Sequence, residues 1–364
     1  MIKFVIKPFD VLFFGGGKPF NLGDTARSVF LPFPHTFASA LCSKIYFEYK
    51  IEDVSNILKS VYGPFLFNEE ENKIYFPKPA DIFTQRKKRE GLFSLKIEND
   101  DNFSLFKYEN TNKPDGFEKL PVYQGEKDID SFEGFISKDG LQDWVNGKEV
   151  KEKEIKNFFD VFEYERRVGI KQSVETHTVV GEDGLYRIDF LRLKKNWSFV
   201  FCVEFNYESL NKDLEDENKV LEFFQKGNKV LKLGGEMKVA YYDVEVDDLR
   251  NLIKRPDINE GEIIKILFLT HSTFNKNDFL SGCNGVKVIS AVISRYLNLA
   301  IKSKGLNLGK FTKRGVRAGS VIYGEVKNGN SLNDLWFGFF CPYRKDNKTF
   351  IGANLVVYGK SWKS

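Results

Sequence analysis

The chain has 364 residues, of which 42% are hydrophobic and 29% charged, and its 55 basic side chains exceed its 51 acidic ones by only four. This composition can fill real cores, and it excludes both a polybasic tail protein and a strongly acidic disordered chain. At roughly 100–200 residues per domain, the length predicts two domains, and any basic function must come from local patches of charge.

The first part of the chain predicts alternating strands and helices. The expected elements are a strand at 2–9, a glycine turn at 15–17, a helix from residue 37, a short helix at 53–61 and a strand at 73–76. The segment FLPFPHTF leads into the first helix, and its polar residues His35 and Thr36 are the expected caps.

The middle of the chain is rich in charge and poor in periodicity. Residues 84–130 predict a loop region, and the basic run at 85–89 within it is interpreted as solvated rather than as a nucleic-acid contact. A charged helix is expected at 149–159. Residues 166–192 predict a long protruding β-hairpin with a polar tip and basic flanks.

A second cycle of elements follows. The expected order is a strand at 197–205, a helix at 214–224, strands at 237–246 and 263–269, a helix at 286–301 and a strand at 319–323. This β-α-β-β-α-β order is ferredoxin-like. We therefore predict an α+β fold with two tandem ferredoxin-like domains, residues 1–192 with insertions and the hairpin, and residues 193–364.

Several classes of site lack support in the sequence. The chain has three histidines and four cysteines, and none of them stands in a metal-ligand spacing. The run Gly15-Gly16-Gly17-Lys18 fails as a phosphate loop because Pro19 follows the lysine. We expect no metal, no cofactor and no catalytic residue.

Sequence features that the chain lacks also predict where in the cell the protein is located. The cysteines show no disulfide framework, which favours a reducing compartment. The alternating N-terminal residues are unlike a signal peptide, and no apolar stretch approaches the roughly 18 residues of a membrane span. We expect a cytoplasmic protein without a membrane partner.

Five segments, in order along the chain, resemble the RAMP proteins that form the third subunit of the Cmr complex, the type III-B CRISPR effector. They are DVLFFGGGKPF (10–20), FLPFPHTF (30–37), ERRVGI (165–170), LGGE (233–236) and RAGSVIY (317–323). Together they run from the start of the chain almost to its end, so the resemblance covers both predicted domains.

The resemblance implies a non-catalytic subunit that binds the 5′ tag of the CRISPR RNA (crRNA). It also implies two protein partners, the large polymerase-like subunit and the adjacent backbone RAMP subunit. In related proteins a hairpin from the first domain wedges against the RNA, and here that hairpin is 166–192.

The chain departs from the family pattern at three places, one of which is Arg317, where a proline commonly precedes Ala-Gly-Ser. Gly15-Gly16 stand where family members usually carry Arg-Asp, and the first helix has Ser39-Ala40-Leu41-Cys42 where Gly-Ala-Leu-Arg is usual. Any RNA contact made through those family arginines is therefore open in this chain, and Lys18, Arg27 or Lys44 are candidate replacements.

Physical requirements narrow the RNA-binding candidates. A single strand needs cations along its backbone, surfaces for its bases and places where phosphates approach closely, which glycine allows. The candidates are Gly15, Gly16, Gly17, Lys18, Arg27, His35, Lys44, Arg166, Arg167, Lys171, Gly234, Gly235, Lys238, Arg314 and Arg317. Arg166 and Arg167 must point to opposite faces of a strand, and one of them is expected to pair with Glu163 or Glu165.

Two other functions stay open at this stage. The first is a metal-independent RAMP endoribonuclease that processes CRISPR RNA, with His35 or Tyr62 as the acid–base group. The second is an RNA-binding protein outside CRISPR. Site-specific cleavage of precursor RNA in EDTA distinguishes the nuclease from a binding subunit.

Overall fold

The computed structural model describes residues 1–16, 25–51, 56–87, 90–99, 119–123, 125–170, 173–176, 178, 185–273, 285–303, 309–341, 344–345, 348–349 and 351–362. Four helices lie in this part of the chain: α1 Pro34–Tyr49, α2 Lys138–Val145, α3 Phe158–Val161 and α4 Glu217–Gln225. Strands make up most of the remaining regular structure.

The strands are as follows. Up to residue 137 they are β1 Ile2–Pro8, β2 Thr25–Arg27, β3 Leu58–Asn68, β4 Lys73–Pro77, β5 Ile82–Gln85, β6 Leu92–Ser94, β7 Lys96–Asn99, β8 Lys119–Val122, β9 Ile129–Asp130 and β10 Gly134–Ser137. Then come β11 Ile155–Asn157, β12 Phe162–Ile170, β13 Leu185–Leu193, β14 Trp197–Phe205, β15 Val230–Lys232, β16 Val239–Val246 and β17 Ile263–Phe268. The last are β18 Val286–Val292, β19 Tyr296–Ser303, β20 Gly309–Val316, β21 Val321–Val326, β22 Gly338–Phe339, β23 Arg344–Lys345, β24 Lys348–Thr349 and β25 Leu355–Lys360.

The chain divides into two compact units, each assembled from three separate stretches. The first unit consists of Met1–Asn72, Phe159–Asp248 and Asn298–Arg314, and the second consists of Lys73–Phe158, Leu249–Leu297 and Gly315–Ser364. The sequence analysis divides the chain once, at residue 192. The units therefore follow the fold's strand pairing rather than a single cut along the chain.

The first unit contains an antiparallel sheet in the order β3-β14-β1-β16-β15. Helix α1 precedes β3 and α4 precedes β15, so β1, α1, β3, β14, α4 and β16 follow the ferredoxin-like β-α-β-β-α-β order. The strand β14, predicted to open a second domain, instead pairs with β1 and β3, because its buried face matches theirs.

Alternation along the strands fixes which face of this sheet the helices cover. Phe4 of β1 is fully buried, and Phe224 of α4 meets its ring edge-on with the centroids 4.9 Å apart. Phe37 of α1 meets the ring of Phe201 in β14 in the same way, at 5.1 Å. The two helices therefore lie on one face, and Lys3, Val5 and Lys7 of β1 belong to the other.

Helix α1 begins earlier than the sequence predicts. Its N-cap is Phe33, which makes no capping bond through its side chain, and Pro34 occupies the first turn. The prediction that His35 or Thr36 caps the helix is therefore wrong. Proline has no N–H to satisfy and its φ already suits a helix, so the helix starts at Pro34, three residues before the predicted residue 37.

The long hairpin is confirmed. Strands β12 and β13 pair from Phe162 with Leu193 to Ile170 with Leu185, and β2 lies parallel along the other side of β13. Most of the tip, including Lys171, lies outside the described residues.

The second unit contains a five-stranded antiparallel sheet in the order β18-β21-β17-β25-β22. Its four longer strands repeat the relative order of the first unit, although the second unit is built from other stretches than the predicted domain at 193–364. The helix that packs on this sheet is α2, from an earlier stretch of chain. A Cβ atom on Gly359 of β25 would lie 2.7 Å from the Cα of Val145, so glycine permits this close contact.

The predicted helix at 286–301 is wrong, because these residues form β18 and most of β19. A register shift between Val288 and Ser290 against β21 marks a bulge, and it leaves the neighbouring Val288 and Ile289 both buried. Adjacent buried residues break the two-residue alternation of a strand and imitate helical spacing. The β-branched composition was the signal for a strand.

Two further helices are not formed as predicted. Of residues 53–61, the structure describes 56–61, and Leu58 already begins β3. The stretch 149–159 contains a single 3₁₀ turn, Glu152–Glu154, then β11 and the start of α3. Both stretches have a helix-like composition, but each contributes residues to a strand, the first to β3 and the second to β11.

A cluster of buried polar side chains in the second unit connects α2 with the strands β17 and β21. Asp81 is fully buried and accepts hydrogen bonds from Trp144 Nε1 (3.0 Å), Tyr323 Oη (3.1 Å) and Trp362 Nε1 (3.1 Å). The Lys265 ammonium donates to the Trp144 carbonyl at 3.1 Å and lies 3.4 Å from the ring centroid of Trp362. Burial lowers the pKa of Lys265 to about 7.

This cluster predicts a dependence of stability on pH. The unfolded chain keeps Lys265 protonated up to its ordinary pKa of 10.5, whereas the folded chain loses the proton near pH 7. Between these values the unfolded state binds more protons, so the free energy of unfolding rises with pH. Lys265→Met is expected to reduce this slope in urea unfolding measured across that interval. Lys360→Met, at an exposed position on β25, is the control and leaves the slope unchanged; equal slopes in both variants contradict the prediction.

Candidate nucleic-acid interface

Two predicted glycine segments meet at Phe13. The N–H of Gly235 donates to the Phe13 carbonyl at 2.8 Å, and Gly15 and Gly16 follow Phe13 and Phe14 in the chain. A Cβ on Gly234 would lie 2.4 Å from the same carbonyl oxygen, and Gly234 has φ +77°. Glycine is therefore required at 234 both by its backbone conformation and by the close approach.

Aromatic rings and cations lie beside these glycines. The Phe13 and Phe190 rings meet edge-on with centroids 5.9 Å apart. The Lys238 ammonium lies 4.7 Å from the Phe190 centroid, and the Arg167 guanidinium lies 5.4 Å from it. We call the set Phe13, Gly15, Gly16, Gly234, Gly235 and Lys238 the Phe13 surface; Phe190, which is buried, packs against the ring of Phe13. Gly17 and Lys18, predicted to belong to it, lie outside the described residues.

The arginines nearest this surface are held by acids. Asp10 accepts from Arg167 and from Arg192, each at 2.7 Å, and Glu165 accepts from the same two arginines. The bond from Arg167 is the main reason why the pKa of Asp10 falls to about 2. The expected pairing of one arginine with Glu163 or Glu165 is confirmed for Arg167. Asp10 and Glu165 therefore hold Arg167 and Arg192 in position, and these four side chains together carry no net charge.

The opposite face of the hairpin carries a surplus of positive charge. Arg166 binds Asp189 through two hydrogen bonds of 2.7 and 3.1 Å, and the register between β2 and β13 places Arg27 opposite the same Asp189. Arg27 lies 3.9 Å from this carboxylate and 4.0 Å above the Tyr164 ring. Both arginine side chains are more than three-fifths exposed and share one acid, so a phosphate can reach them.

Two candidates on α1 lie elsewhere in the first unit. His35 stacks on the ring of Phe33 at 5.3 Å, and burial lowers its pKa to about 4. Lys44 donates to the Asn228 carbonyl at 2.6 Å and lines a groove of about 560 Å³ formed by residues of α1 and of the region around α4. Their described contacts do not involve the Phe13 surface.

Part of the basic stretch near the end of the chain makes packing contacts within the second unit. Arg317 pairs with Glu133 at 2.6 Å, and its side chain is 11% exposed. Gly319 has φ +92°, and a Cβ there would lie 2.6 Å from the Lys78 carbonyl oxygen. The Arg-Ala-Gly-Ser segment is thus explained by the contacts of the second unit. Arg314 is exposed.

Sequence reasoning predicted Glu165 as a partner of one arginine, but it missed Asp10 and Asp189. Asp10 and Asp189 stand among many ordinary acidic residues, and only strand pairing brings Asp189 opposite Arg166. The alternating pattern of β13 was the available signal, because it places Asp189 on the face that Arg166 shares. Among the described residues no cluster of three or more histidine, cysteine or acidic side chains has the geometry of a metal site. Nor does any described helix reach the length and apolarity of a membrane span.

Comparison with known proteins identifies a relationship over nearly the whole chain. The family model described as CRISPR-associated protein (Cas_Cmr3) matches residues 4–361. None of the curated proteins matches the chain.

Two solved structures are similar in fold. A chain of the type III-B Cmr-beta bound to cognate target RNA and AMPPnP has a TM-score of 0.52 at 17% identity, over 88% of this chain and 86% of that one. A chain of the type III-B Cmr-beta bound to cognate target RNA has a TM-score of 0.51, with the same identity and coverage.

The close approach at Gly234 predicts a specific loss of stability. Gly227 also has positive φ, at +86°, but a Cβ there would have nothing within 4 Å. Both alanine variants share the backbone strain, so their difference isolates the clash with the Phe13 carbonyl. Gly234→Ala is expected to lower the free energy of unfolding by about 1–3 kcal/mol more than Gly227→Ala, measured by urea unfolding; equal losses contradict the role of the contact.

Proposed function

The chain belongs to the CRISPR-associated protein family Cas_Cmr3, and from this premise we propose that it is a non-catalytic subunit of a type III-B effector that binds the 5′ tag of crRNA. The meeting of Gly15-Gly16 and Gly234-Gly235 at Phe13 carries the proposal. Backbone without side chains lets a phosphate approach closely, and Lys238 supplies charge beside it.

The hairpin adds a second group of contacts. Arg27 and Arg166 present surplus charge on one face of it, and farther toward the tip the same face carries Val168, Ile170 and Leu185, all of them exposed. Apolar side chains that project beside cations can enter between bases and unstack them. These residues support the wedge role that the family resemblance implies.

The protein partners follow from the same proposal. We propose docking to the large polymerase-like subunit and to the adjacent backbone RAMP subunit. Exposed apolar residues support such contacts, and two of them, Phe47 and Phe159, are about two-thirds exposed. A cytoplasmic location stays a prediction.

The geometry favours a binding role over nuclease activity. His35 has a pKa near 4, so at neutral pH it is uncharged and a weak base. Tyr62 is only 5% exposed within β3. Incubation of the purified protein with precursor CRISPR RNA in EDTA tests this directly: site-specific cleavage that His35→Ala abolishes would overturn the proposal.

Binding of the 5′ tag is tested in the assembled complex. Tagged crRNA is expected to bind more tightly than an RNA of equal length with an unrelated 5′ end, and salt should weaken binding with a slope of about −0.7 per phosphate neutralised. A titration of labelled RNA at several salt concentrations measures both quantities. Equal affinity for the two RNAs contradicts tag recognition, although a steep salt slope would still indicate phosphate contacts.

The hairpin arginines give a more local prediction. Arg27→Ala removes an exposed cation from the surplus-charge face and should lower the salt slope of RNA binding by roughly 0.7–1. Arg86→Ala is the control, because Arg86 is similarly exposed but lies in the basic run interpreted as solvated, where it pairs with Asp128. An unchanged slope in Arg27→Ala, or an equal loss in Arg86→Ala, contradicts the assignment.

A further inference from the structure

We propose that Phe9, Val239 and Met237 form a docking patch for one unpaired RNA base, with Lys232 beside it for the adjoining phosphate. This proposal rests on the proposed RNA-binding function and names residues that the family motifs do not include. We call these four residues the base patch.

Strand pairing places three of these residues in one row. Phe9 directly follows β1, and its N–H donates to the Val239 carbonyl at 3.3 Å. On the other side of β16, Val239 is the register partner of Lys232 in β15. Successive partners in a row have Cβ atoms about 5 Å apart, so the row spans about 10 Å, on the order of one nucleotide.

The patch lies on the face of the sheet opposite α1 and α4. Phe4 and Phe201 face the helices α1 and α4, and alternation puts Val239 and its partners on the other face. Phe9 is 64% exposed and Val239 40% exposed. An aromatic ring beside an exposed aliphatic side chain, on the sheet face opposite α1 and α4, is the kind of surface on which RNA-binding sheets stack bases.

An unusual backbone conformation keeps the side chain of Met237 exposed to solvent. It is 80% exposed in the loop between β15 and β16, and both Glu236 and Met237 have positive φ, at 56° and 52°. Consecutive left-handed residues without glycine are strained, and such strain persists where a conformation has a use. The conformation presents a large, adaptable apolar side chain two residues from Val239.

Charge favours RNA as the occupant. Lys232 is exposed, and in the described part of the chain it forms no ion pair, while Lys238 lies in the same loop. Lys7 is paired with Glu69 at 2.9 Å, and the acids Asp243 and Glu245 lie farther along β16. Lys232 and Lys238 outnumber the one acid of the loop between β15 and β16, Glu236, so a surplus of positive charge lies at the end of the sheet where the apolar residues lie, as a nucleotide requires.

The test uses the full-length protein in its assembled complex and a tagged crRNA that carries 4-thiouridine at one position at a time. Phe9→Ala and Met237→Ala are each expected to weaken RNA binding about tenfold, a typical loss for one stacked base, and Phe9→Trp to retain it. Tyr296→Ala is the control, because Tyr296 is an aromatic residue with 74% exposure but lies in the second unit. Mass spectrometry of the crosslinked peptides should find the peptides containing Phe9 or Met237.

Each outcome decides a different point. Crosslinks elsewhere on the chain, with unchanged affinity in Phe9→Ala, overturn the base patch but leave RNA binding intact. Absence of any crosslink to this chain overturns both proposals. Loss of subunit assembly in Phe9→Ala, detected by native mass spectrometry, assigns the patch to a protein partner and overturns its role in binding a base.

Discussion

The first unit depends on one strand having two antiparallel neighbours. β1 pairs with β14 on one side and with β16 on the other, and both partners come from the middle of the chain. This pairing buries Phe4 between aromatic residues of β14 and α4. It also brings Phe9 beside Val239, and just beyond β1 the Phe13 carbonyl meets Gly235. The candidate interface therefore results from the pairing of β1 with both β14 and β16.

Strand geometry also determines how the charges of the candidate interface are distributed. A strand places neighbouring residues on opposite faces, so Arg166 and Arg167 serve two different surfaces. One is balanced by Asp10 and Glu165, and the other keeps a surplus because Arg27 and Arg166 share Asp189. A nearly neutral chain can therefore present a cationic face without a basic composition. The pairing of charges, more than their number, determines where RNA can bind.

Sequence reasoning reached the α+β class, the hairpin and the strands β1, β14 and β16 of the first unit, because alternation and turn residues are local signals, but it assigned the start of β3 to a helix. It missed the grouping of those strands, since pairing over long separations leaves no local trace. The helix predicted at 286–301 failed because a bulge buried Val288 and Ile289 together. The glycines of the site were identified as residues, but their meeting at Phe13 required the tertiary fold. Asp10 was invisible for the same reason.

The three-stretch make-up of each unit has a consequence for synthesis. β1 emerges from the ribosome first, yet neither of its partners exists until the chain reaches β14 and β16, well over a hundred residues later. Until then its backbone has neither of the strands with which it pairs. Pairing at such separation is slow and leaves strands open to wrong contacts. Neither unit corresponds to a continuous fragment, so cutting the chain at any single residue leaves at least one of them incomplete.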